Sequence, residues 1–176
     1  MSIPRSRVAS AAGAVGTAVL VLTGCGPTDV SDPTARAAAG GVTVTVELHR
    51  TSANAAELRA TFRPDQPGFH VYSIDLPDEG VDGLGIPTRI GVRGANTADG
   101  PPTADQPTRL IRPAGLPTEI PVYPDGAVTF RLPVHLNGSG PMDVVVSYGA
   151  CSESRCLMPV TNKAIRLDLE DLEDLD

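Results

Sequence analysis

The sequence has no amphipathic stretch long enough to predict a helix of useful length. Its apolar residues instead alternate with polar ones, and this period of two is typical of strands with one buried face. No internal repeat is visible in the 176 residues. These absences leave a small all-β domain as the expected fold class.

The residue patterns of common catalytic and cofactor sites are also missing. No Ser/His/Asp arrangement, zinc-ligand spacing, phosphate-binding glycine loop or paired-carboxylate site rises above chance. His49 and His135 fall in strand patterns without a partner nearby in the sequence. We therefore expect no cofactor and no metal site of these kinds.

Cysteine is scarce, and the three that occur divide into one anchor and one pair. Cys25 ends the run LTGC after an apolar stretch over residues 8–23, and this run resembles the lipobox of bacterial lipoproteins. The stretch is too short and too rich in glycine for a membrane-spanning helix. We predict that residues 1–24 are a signal peptide and that acyl chains on Cys25 hold the exported protein at the extracytoplasmic face of the cell membrane.

Acidic residues outnumber basic ones, and the formal net charge is −7. Removing the leader removes Arg5 and Arg7, which lowers this charge to −9. Such acidity argues against nucleic acid and anionic lipid surfaces as partners. The expected contact with the membrane is therefore the lipid anchor alone.

The rest of the chain divides by composition. Residues 25–41 are rich in Gly, Pro, Ala and Asp without apolar periodicity, and they predict a flexible tether. Residues 42–169 are long enough for one domain with a single core. Residues 170–176 are an acidic tail, expected to be solvated.

Alternation within the domain predicts about eight short strands separated by Pro, Gly and Asp turns. Residues 94–107 are expected to form a long polar loop, and Pro133 assigns its strand to a sheet edge or a bulge. The number and spacing of strands favour a two-sheet β-sandwich. The strand segments are 42–48, 57–62, 69–74, 88–92, 109–112, 128–132, 142–148 and 165–169.

The remaining two cysteines, Cys151 and Cys156, are separated by four residues. If the strand 142–148 continues into Cys151 and the chain returns after Cys156, residues 152–155 form a hairpin loop of common length. Residues directly opposed in an antiparallel pair lie about 4.5 to 5.5 Å apart at Cα, a separation that a disulfide accepts. The spacing therefore predicts a pair that can form and break a disulfide without large backbone movement.

A purely structural disulfide is the alternative, because small exported domains often use disulfides as staples. Closing so short a ring contributes only about 2 kcal/mol, and the hairpin already holds its ends together. A staple would stabilise the fold more by linking distant strands. This reasoning favours a redox role but leaves both uses open.

Two blocks of residues resemble a known family. The run SYGAC-(four residues)-CLMPVT, which spans residues 147–161, is similar to the active-site hairpin of the amino-terminal extracytoplasmic domain of the DsbD thiol:disulfide interchange proteins. The block GFHVYS at residues 68–73, followed by Ile-Pro-Thr at 86–88, resembles that family's Gly-aromatic-x-x-Tyr strand and the turn after it.

The resemblance implies an immunoglobulin-like β-sandwich that shuttles electrons. The family's domain accepts electrons from a membrane thiol transporter, here necessarily a separate protein, and passes them to thioredoxin-fold partners, so this chain is a possible protein-disulfide reductase. Cys156 then matches the cysteine that forms mixed disulfides, and Cys151 matches the resolving one. Tyr148, His70 and Tyr72 match supporting positions near the pair, although a core position is an alternative for each tyrosine.

Two departures from the family pattern stand out. Its best-known members have five residues between the cysteines, whereas this chain has four. Their acidic-aromatic loop that caps the cysteines has no clear counterpart here, since the run PAGLP at residues 113–117 occupies the expected place.

Two other functions remain open from the residues alone. One is a lipid-anchored binding module without catalysis, in which Cys151 and Cys156 form a structural disulfide. The other is a Cu(I) site, since Cys151, Cys156 and Met158 are soft sulfur ligands and His70 could lie nearby.

Overall fold

The computed structural model describes residues 32–113, 117–138 and 140–169. The predicted signal peptide, Cys25 and the acidic tail lie outside these ranges. Within them, no helix is long and apolar enough to cross a membrane. The described chain consists of strands and connecting loops, in agreement with the predicted all-β class.

Each of the eight predicted segments contains or overlaps a strand. The strands are β1 Thr34–Ala39, β2 Val42–Ser52, β3 Ala55–Pro64, β4 His70–Val71, β5 Arg89–Arg93, β6 Thr97–Ala98, β7 Thr103–Ala104, β8 Arg109–Ile111, β9 Ile120–Val122, β10 Val128–His135, β11 Met142–Tyr148, β12 Ala150–Cys151 and β13 Val160–Leu167.

The larger sheet has the antiparallel order β1-β2-β3-β10, and the short strands β6 and β7 pair with the outer edge of β10. Alternate residues of β2 are buried because every second side chain faces the same side of a sheet. Opposite them in register, β3 contributes its own buried positions, for example Val44 against Phe62 and Leu48 against Leu58. One face of this sheet is therefore apolar.

The second sheet has the order β13-β11-β5 and supplies the other half of the core. Met142, Val144 and Val146 of β11 are buried. The ring of Phe62 makes edge-on contacts with Phe130 of its own sheet and with Tyr148 of the second sheet, each at 5.3 Å between centroids. Such aromatic pairs contribute about 0.5–1.5 kcal/mol beyond the buried area. The fold is thus an immunoglobulin-like sandwich, as predicted.

The predicted tether over residues 25–41 is wrong for its last part. Thr34–Ala39 form β1, which pairs along its whole length with β2. Gly40 and Gly41 make the turn between them with φ of 53° and 69°, and two successive positive φ values are typical of tight hairpin turns. The small alanine side chains of β1 give little contrast between its faces, so alternation did not reveal the strand.

The predicted polar loop 94–107 also contains structure, since β6 and β7 lie within it. Each pairs with only two residues of β10, so the outer edge of β10 is partly open. Pro133 lies in β10 between these two paired stretches, and its carbonyl accepts a hydrogen bond from the amide of Asp99 at 2.8 Å. The prediction of an edge strand or a bulge is thus met only in part, because β10 pairs along β3 on one side and at two short stretches on the other.

Two small two-stranded sheets lie beside the sandwich, β4 with β12 and β8 with β9. Gly149 separates β12 from the end of β11. An isolated bridge between Tyr72 and Val122 links the β4 segment to β9. These small sheets carry the cysteine pair and its surroundings.

Candidate functional site

Cys151 and Cys156 are joined by a disulfide across a narrow antiparallel pair. The flanking backbone hydrogen bonds run from the amide of Ser152 to the carbonyl of Arg155 and from the amide of Leu157 to the carbonyl of Ala150, each at 2.8 Å. This pattern makes the cysteines a non-hydrogen-bonded pair, the closer of the two antiparallel arrangements. Their Cα atoms are 4.0 Å apart, slightly less than the sequence predicted, and the four-residue loop is present.

The two cysteines differ in their access to solvent. Cys151 is 4% exposed, whereas Cys156 is an exposed residue. Cys151 is covered because it pairs with His70 of β4 on one side and with Cys156 on the other. A reactant approaching from outside therefore meets Cys156 first.

Tyr72 provides a hydrogen-bond donor beside the buried sulfur. Its hydroxyl lies 3.0 Å from Sγ of Cys151 and 3.9 Å from Sγ of Cys156. Burial raises the pKa of this phenol, so it stays protonated at neutral pH. A protonated hydroxyl at that distance stabilises negative charge on the sulfur of Cys151.

The ring of Tyr72 fits between two glycines. A Cβ atom at Gly149 would lie 3.1 Å from the ring, and one at Gly85 would also lie 3.1 Å from it. The Tyr72 carbonyl accepts a hydrogen bond from the Thr88 hydroxyl at 2.6 Å. These contacts fix the direction of the phenol. Gly149 therefore has two roles: it separates β11 from β12, and it leaves room for the Tyr72 ring.

His70 lies directly opposite Cys151 in the β4–β12 register and is 2% exposed. Its Nδ1 is 3.0 Å from the carboxylate of Asp125, and Arg109 donates to the same oxygen at 2.7 Å. Its Nε2 is buried without a hydrogen-bond partner among the described residues. The histidine predicted as a supporting residue is therefore the end of a short polar chain, Arg109–Asp125–His70, and lies beside the disulfide.

The polar chain influences the pKa values of its members. Burial lowers the pKa of His70, and the hydrogen bond and charge of Asp125 oppose this effect in part. For Asp125, burial alone would raise the pKa, but the hydrogen bonds from His70 and Arg109 leave it below its usual value. At neutral pH the pair therefore consists of a neutral imidazole and an ionised carboxylate.

Tyr148 has a different environment from Tyr72. Its ring packs against Phe62 in the core, and its hydroxyl donates to the carbonyl of Ala39 at 2.9 Å. Burial raises its pKa to about 12. The structure thus brings His70 and Tyr72 to the cysteines, while the hydroxyl of Tyr148 is used to hold the end of β1.

A cavity of about 720 Å³ opens beside the disulfide, and both cysteines, His70 and Tyr72 line it. Its opposite wall comes from the β8–β9 hairpin through Arg109, Ile111, Arg112 and Pro113. Part of the 113–117 run, expected at the place of the family's cap, lies outside the described residues. The described part of that hairpin nevertheless faces the cysteine loop.

A second hollow of about 540 Å³ lies on the other side of the loop and is lined by residues 66–69, Asp125 and residues 152–155. The guanidinium of Arg155 is 5.2 Å from the centre of the Phe69 ring, a cation–π contact, and it donates to the side chain of Gln66. These contacts hold the loop that carries Cys156 against the segment before β4.

Asp125 and Arg109 were not identified from the sequence. Both are far from the cysteines along the chain, and each is an ordinary charged residue in a turn or a short strand. Only the cross-strand pairing of β8 with β9 and of β4 with β12 brings them together. Gly85 and Gly149 were likewise not identified from the sequence, because only the folded chain brings them against the ring of Tyr72.

The Cu(I) alternative gains no support from the geometry. Residues 32–113, 117–138 and 140–169 contain no group of three or more His, Cys, Asp or Glu side chains that could hold a metal ion. The two cysteines are bonded to each other, and Met158 is 79% exposed.

Comparisons with known proteins identify the fold. No protein-family profile and no curated protein matches the sequence significantly. The structure is similar to the N-terminal periplasmic domain of ScsB from Proteus mirabilis, with a TM-score of 0.57 and 16% identity over 79% of this chain. The chain spans 52% of that domain's length.

Weaker likenesses are found with the reduced DsbD N-terminal domain of Neisseria meningitidis and the GAE domain of yeast GGA1. The first has a TM-score of 0.40 and 13% identity, covering 71% of this chain and 90% of the other. The second has a TM-score of 0.37 and 11% identity, covering 74% and 96%. The likeness to ScsB establishes the fold and agrees with the DsbD-like resemblance that the cysteine hairpin indicated.

Proposed function

We propose that this domain exchanges disulfides with other proteins through Cys156, with Cys151 as the resolving cysteine. The observation that carries the proposal is the asymmetry of the pair. Cys156 is exposed beside a cavity, whereas Cys151 is buried against the Tyr72 hydroxyl. One sulfur is therefore available to a partner, and the other has a donor that stabilises its thiolate.

Reduction of the domain begins when a donor thiolate attacks Sγ of Cys156. The S–S bond to Cys151 breaks, Cys151 leaves as a thiolate, and the Tyr72 hydroxyl donates a hydrogen bond to it. A second donor thiol then attacks the mixed disulfide, which releases Cys156 as a thiol and leaves the donor oxidised. Two electrons pass to the domain, and solvent supplies the protons.

Delivery runs the same steps in reverse. The thiolate of Cys156 attacks a partner's disulfide and forms a mixed disulfide, which releases one partner thiolate. Cys151 then attacks Sγ of Cys156, re-forms the internal disulfide and releases the second partner sulfur. The partner leaves as a dithiol, and the domain is ready for another cycle.

The partners we propose follow from the family resemblance. A separate membrane thiol transporter would supply electrons, and thioredoxin-fold proteins outside the cytoplasm would receive them. The domain would remain near the transporter through acyl chains on Cys25. The similar ScsB domain is periplasmic, which supports an extracytoplasmic location for this one.

A structural disulfide remains the competing use, and the position of the bond argues against it. The bond joins neighbouring strands that two backbone hydrogen bonds already hold together. It therefore restricts the unfolded chain only by closing a short ring, which contributes about 2 kcal/mol.

Trapping of mixed disulfides tests the proposal. In a Cys151→Ala variant, Cys156 lacks its resolving partner, so we expect disulfide-linked complexes with thioredoxin-fold proteins that dissociate on reduction. The matched Cys156→Ala variant keeps the buried Cys151 and should trap far less. Equal trapping by both variants would contradict the assigned roles, and the absence of complexes with either would support the structural disulfide.

A further inference from the structure

The polar chain that ends at His70 has no part in the steps described above, although it lies beside the buried sulfur. We propose that His70 accepts the thiol proton of Cys151 when Cys151 resolves the mixed disulfide, and that it relays a proton from the cavity to Cys151 when the pair is reduced. This inference rests on the proposed exchange function and assigns its proton transfer to a residue of this chain.

The tautomer of the imidazole leaves one ring nitrogen free to accept a proton. The ionised carboxylate of Asp125 can only accept hydrogen bonds, so Nδ1 of His70, at 3.0 Å, carries the proton. In the neutral ring, Nε2 then has a free lone pair. Arg109 also donates to this carboxylate oxygen and holds it in place. The ring is thereby prepared as a base, in the way that a carboxylate orients a catalytic histidine.

The imidazole ring belongs to the residue directly opposite Cys151. His70 and Cys151 are directly opposed across two paired strands, which places their Cβ atoms about 4.5–5.5 Å apart on one face. Both residues also line the cavity beside the disulfide. The imidazole is therefore the direct neighbour of Cys151 on the strand opposite to the one that carries Cys156.

The second nitrogen of the His70 ring is unpaired within the described part of the oxidised protein. Nε2 is buried without a hydrogen-bond partner among the described residues while Cys151 is in the disulfide. An unpaired buried acceptor is costly. A free Cys151 thiol has the S–H group that this acceptor lacks. Release of Cys151 from the disulfide thus provides Nε2 with a donor.

The resulting step balances. The S–H proton of Cys151 moves to Nε2, and the thiolate attacks Sγ of Cys156 in the mixed disulfide. A new S–S bond forms, the bond to the partner breaks, and the partner sulfur leaves as a thiolate that solvent protonates. Asp125 stabilises the imidazolium until it loses its proton to the cavity. No external oxidant or reductant other than the partner is required.

The surroundings of the ring are compatible with this cycle. Burial favours the neutral imidazole, while Asp125 and Glu153 favour the imidazolium and Arg109 opposes it. The balance leaves His70 neutral near pH 7, the state in which it can accept a proton. The groups that face or adjoin it are Asp125, Arg109 of β8, Glu153 of the cysteine loop, Cys151 of β12 and Tyr72 two residues further along its own chain segment.

The test follows the resolving step with Ellman's reagent. The reduced domain should release one nitrothiobenzoate when Cys156 reacts and a second, in a first-order phase, when Cys151 resolves the adduct. In the wild type we expect this second rate to fall little from pH 9 to 6.5. In His70→Gln the rate should follow ionisation of the thiol itself, which falls about tenfold for each pH unit below the thiol pKa. The variant should then be at least about tenfold slower at pH 6.5.

Two further variants make the result interpretable. His49→Gln is the matched control, because His49 also contacts an aspartate, Asp32, at 3.1 Å but is exposed on β2, and its profile should equal that of the wild type. Asp125→Asn alters an exposed side chain and removes the charge that stabilises the imidazolium, so the rate at pH 6.5 should fall severalfold. It also provides the test if His70→Gln does not fold.

The outcomes separate the two proposals. If the wild type releases no second equivalent, Cys151 does not resolve, and the exchange function fails together with this inference. If the wild type resolves but His70→Gln and Asp125→Asn keep its pH profile, exchange stands and His70 has no part in proton transfer. If the resolving rate falls only at acidic pH, and only in those two variants, the assignment is supported.

Discussion

Tyr72 obtains its position at the sulfurs from residues on three separate segments. Gly149 and Gly85 leave room for its ring, and the Thr88 hydroxyl holds its carbonyl. The phenol then reaches Sγ of Cys151 at 3.0 Å. Its hydrogen bond is stronger to a thiolate than to a neutral disulfide sulfur, so it favours the reduced form and the transition state in which Cys151 leaves.

Replacing Tyr72 with Phe therefore predicts slower reduction of the disulfide. A hydrogen bond to a charged group contributes about 1.5–3 kcal/mol, so the rate of reduction by dithiothreitol near pH 7 should fall about tenfold. The measurement is the loss of disulfide with time, followed by alkylation and mass spectrometry.

Tyr148→Phe is the matched control for that measurement. It also removes a buried hydroxyl, but one that donates to Ala39 and not to a sulfur. We expect its reduction rate to equal that of the wild type, with a small loss of stability. Slowing of the same size in both variants would show that the effect is structural.

At the scale of elements, the β1–β2 hairpin packs against the segment that follows Cys156. A Cβ atom at Gly40 would collide with the carbonyl of Met158, and one at Gly41 would lie 2.9 Å from the side chain of Leu157. The turn between β1 and β2 is therefore packed against the chain just after Cys156. This contact limits how far the segment after Cys156 can move.

The strands that sequence analysis located are those with a clear difference between their faces. Alternating apolar residues identified β2 and β10, and the cysteine spacing identified the hairpin loop. Four strands were not predicted. The alanines of β1 hardly distinguish its faces, and β6, β7 and β9, with two or three residues each, are too short to show a period. Short strands are defined by their partners, which local sequence does not describe.

The site residues that could be predicted are those that a short spacing or the family resemblance singles out in the sequence. The cysteine pair, His70 and Tyr72 were identified from spacing and family resemblance. Asp125 and Arg109 could not be, because their role depends on which strands pair. Tyr148 shows the opposite case, since a residue three positions before Cys151 directs its hydroxyl to β1 at 2.9 Å.

At the scale of the whole molecule, Cys151 lies outside the main apolar cluster of the described residues and belongs to a smaller one. The sandwich is held by apolar residues of the two larger sheets, whereas Cys151 belongs to a small two-stranded sheet beside them. Breaking the disulfide therefore removes no link between the two larger sheets. We therefore expect the fold to stay intact when the disulfide is reduced.

The proposed lipid anchor concerns the same scale, because it decides where the domain works. Expressed in a bacterial host, the wild-type protein should partition into detergent with the mass of an acylated chain. Cys25→Ala should lose the added mass and move to the soluble fraction. Recovery of both proteins in the soluble fraction would contradict the anchor and leave the exchange chemistry unaffected.

The most direct test of the central claim is the reduction potential of the Cys151/Cys156 couple. It is measured by equilibrating the domain in defined thiol buffers and quantifying both forms after alkylation. Exchange with thioredoxin-fold partners predicts a potential between about −180 and −270 mV, the range in which such proteins operate. A value well below about −300 mV is typical of structural disulfides and would contradict a role in electron transfer.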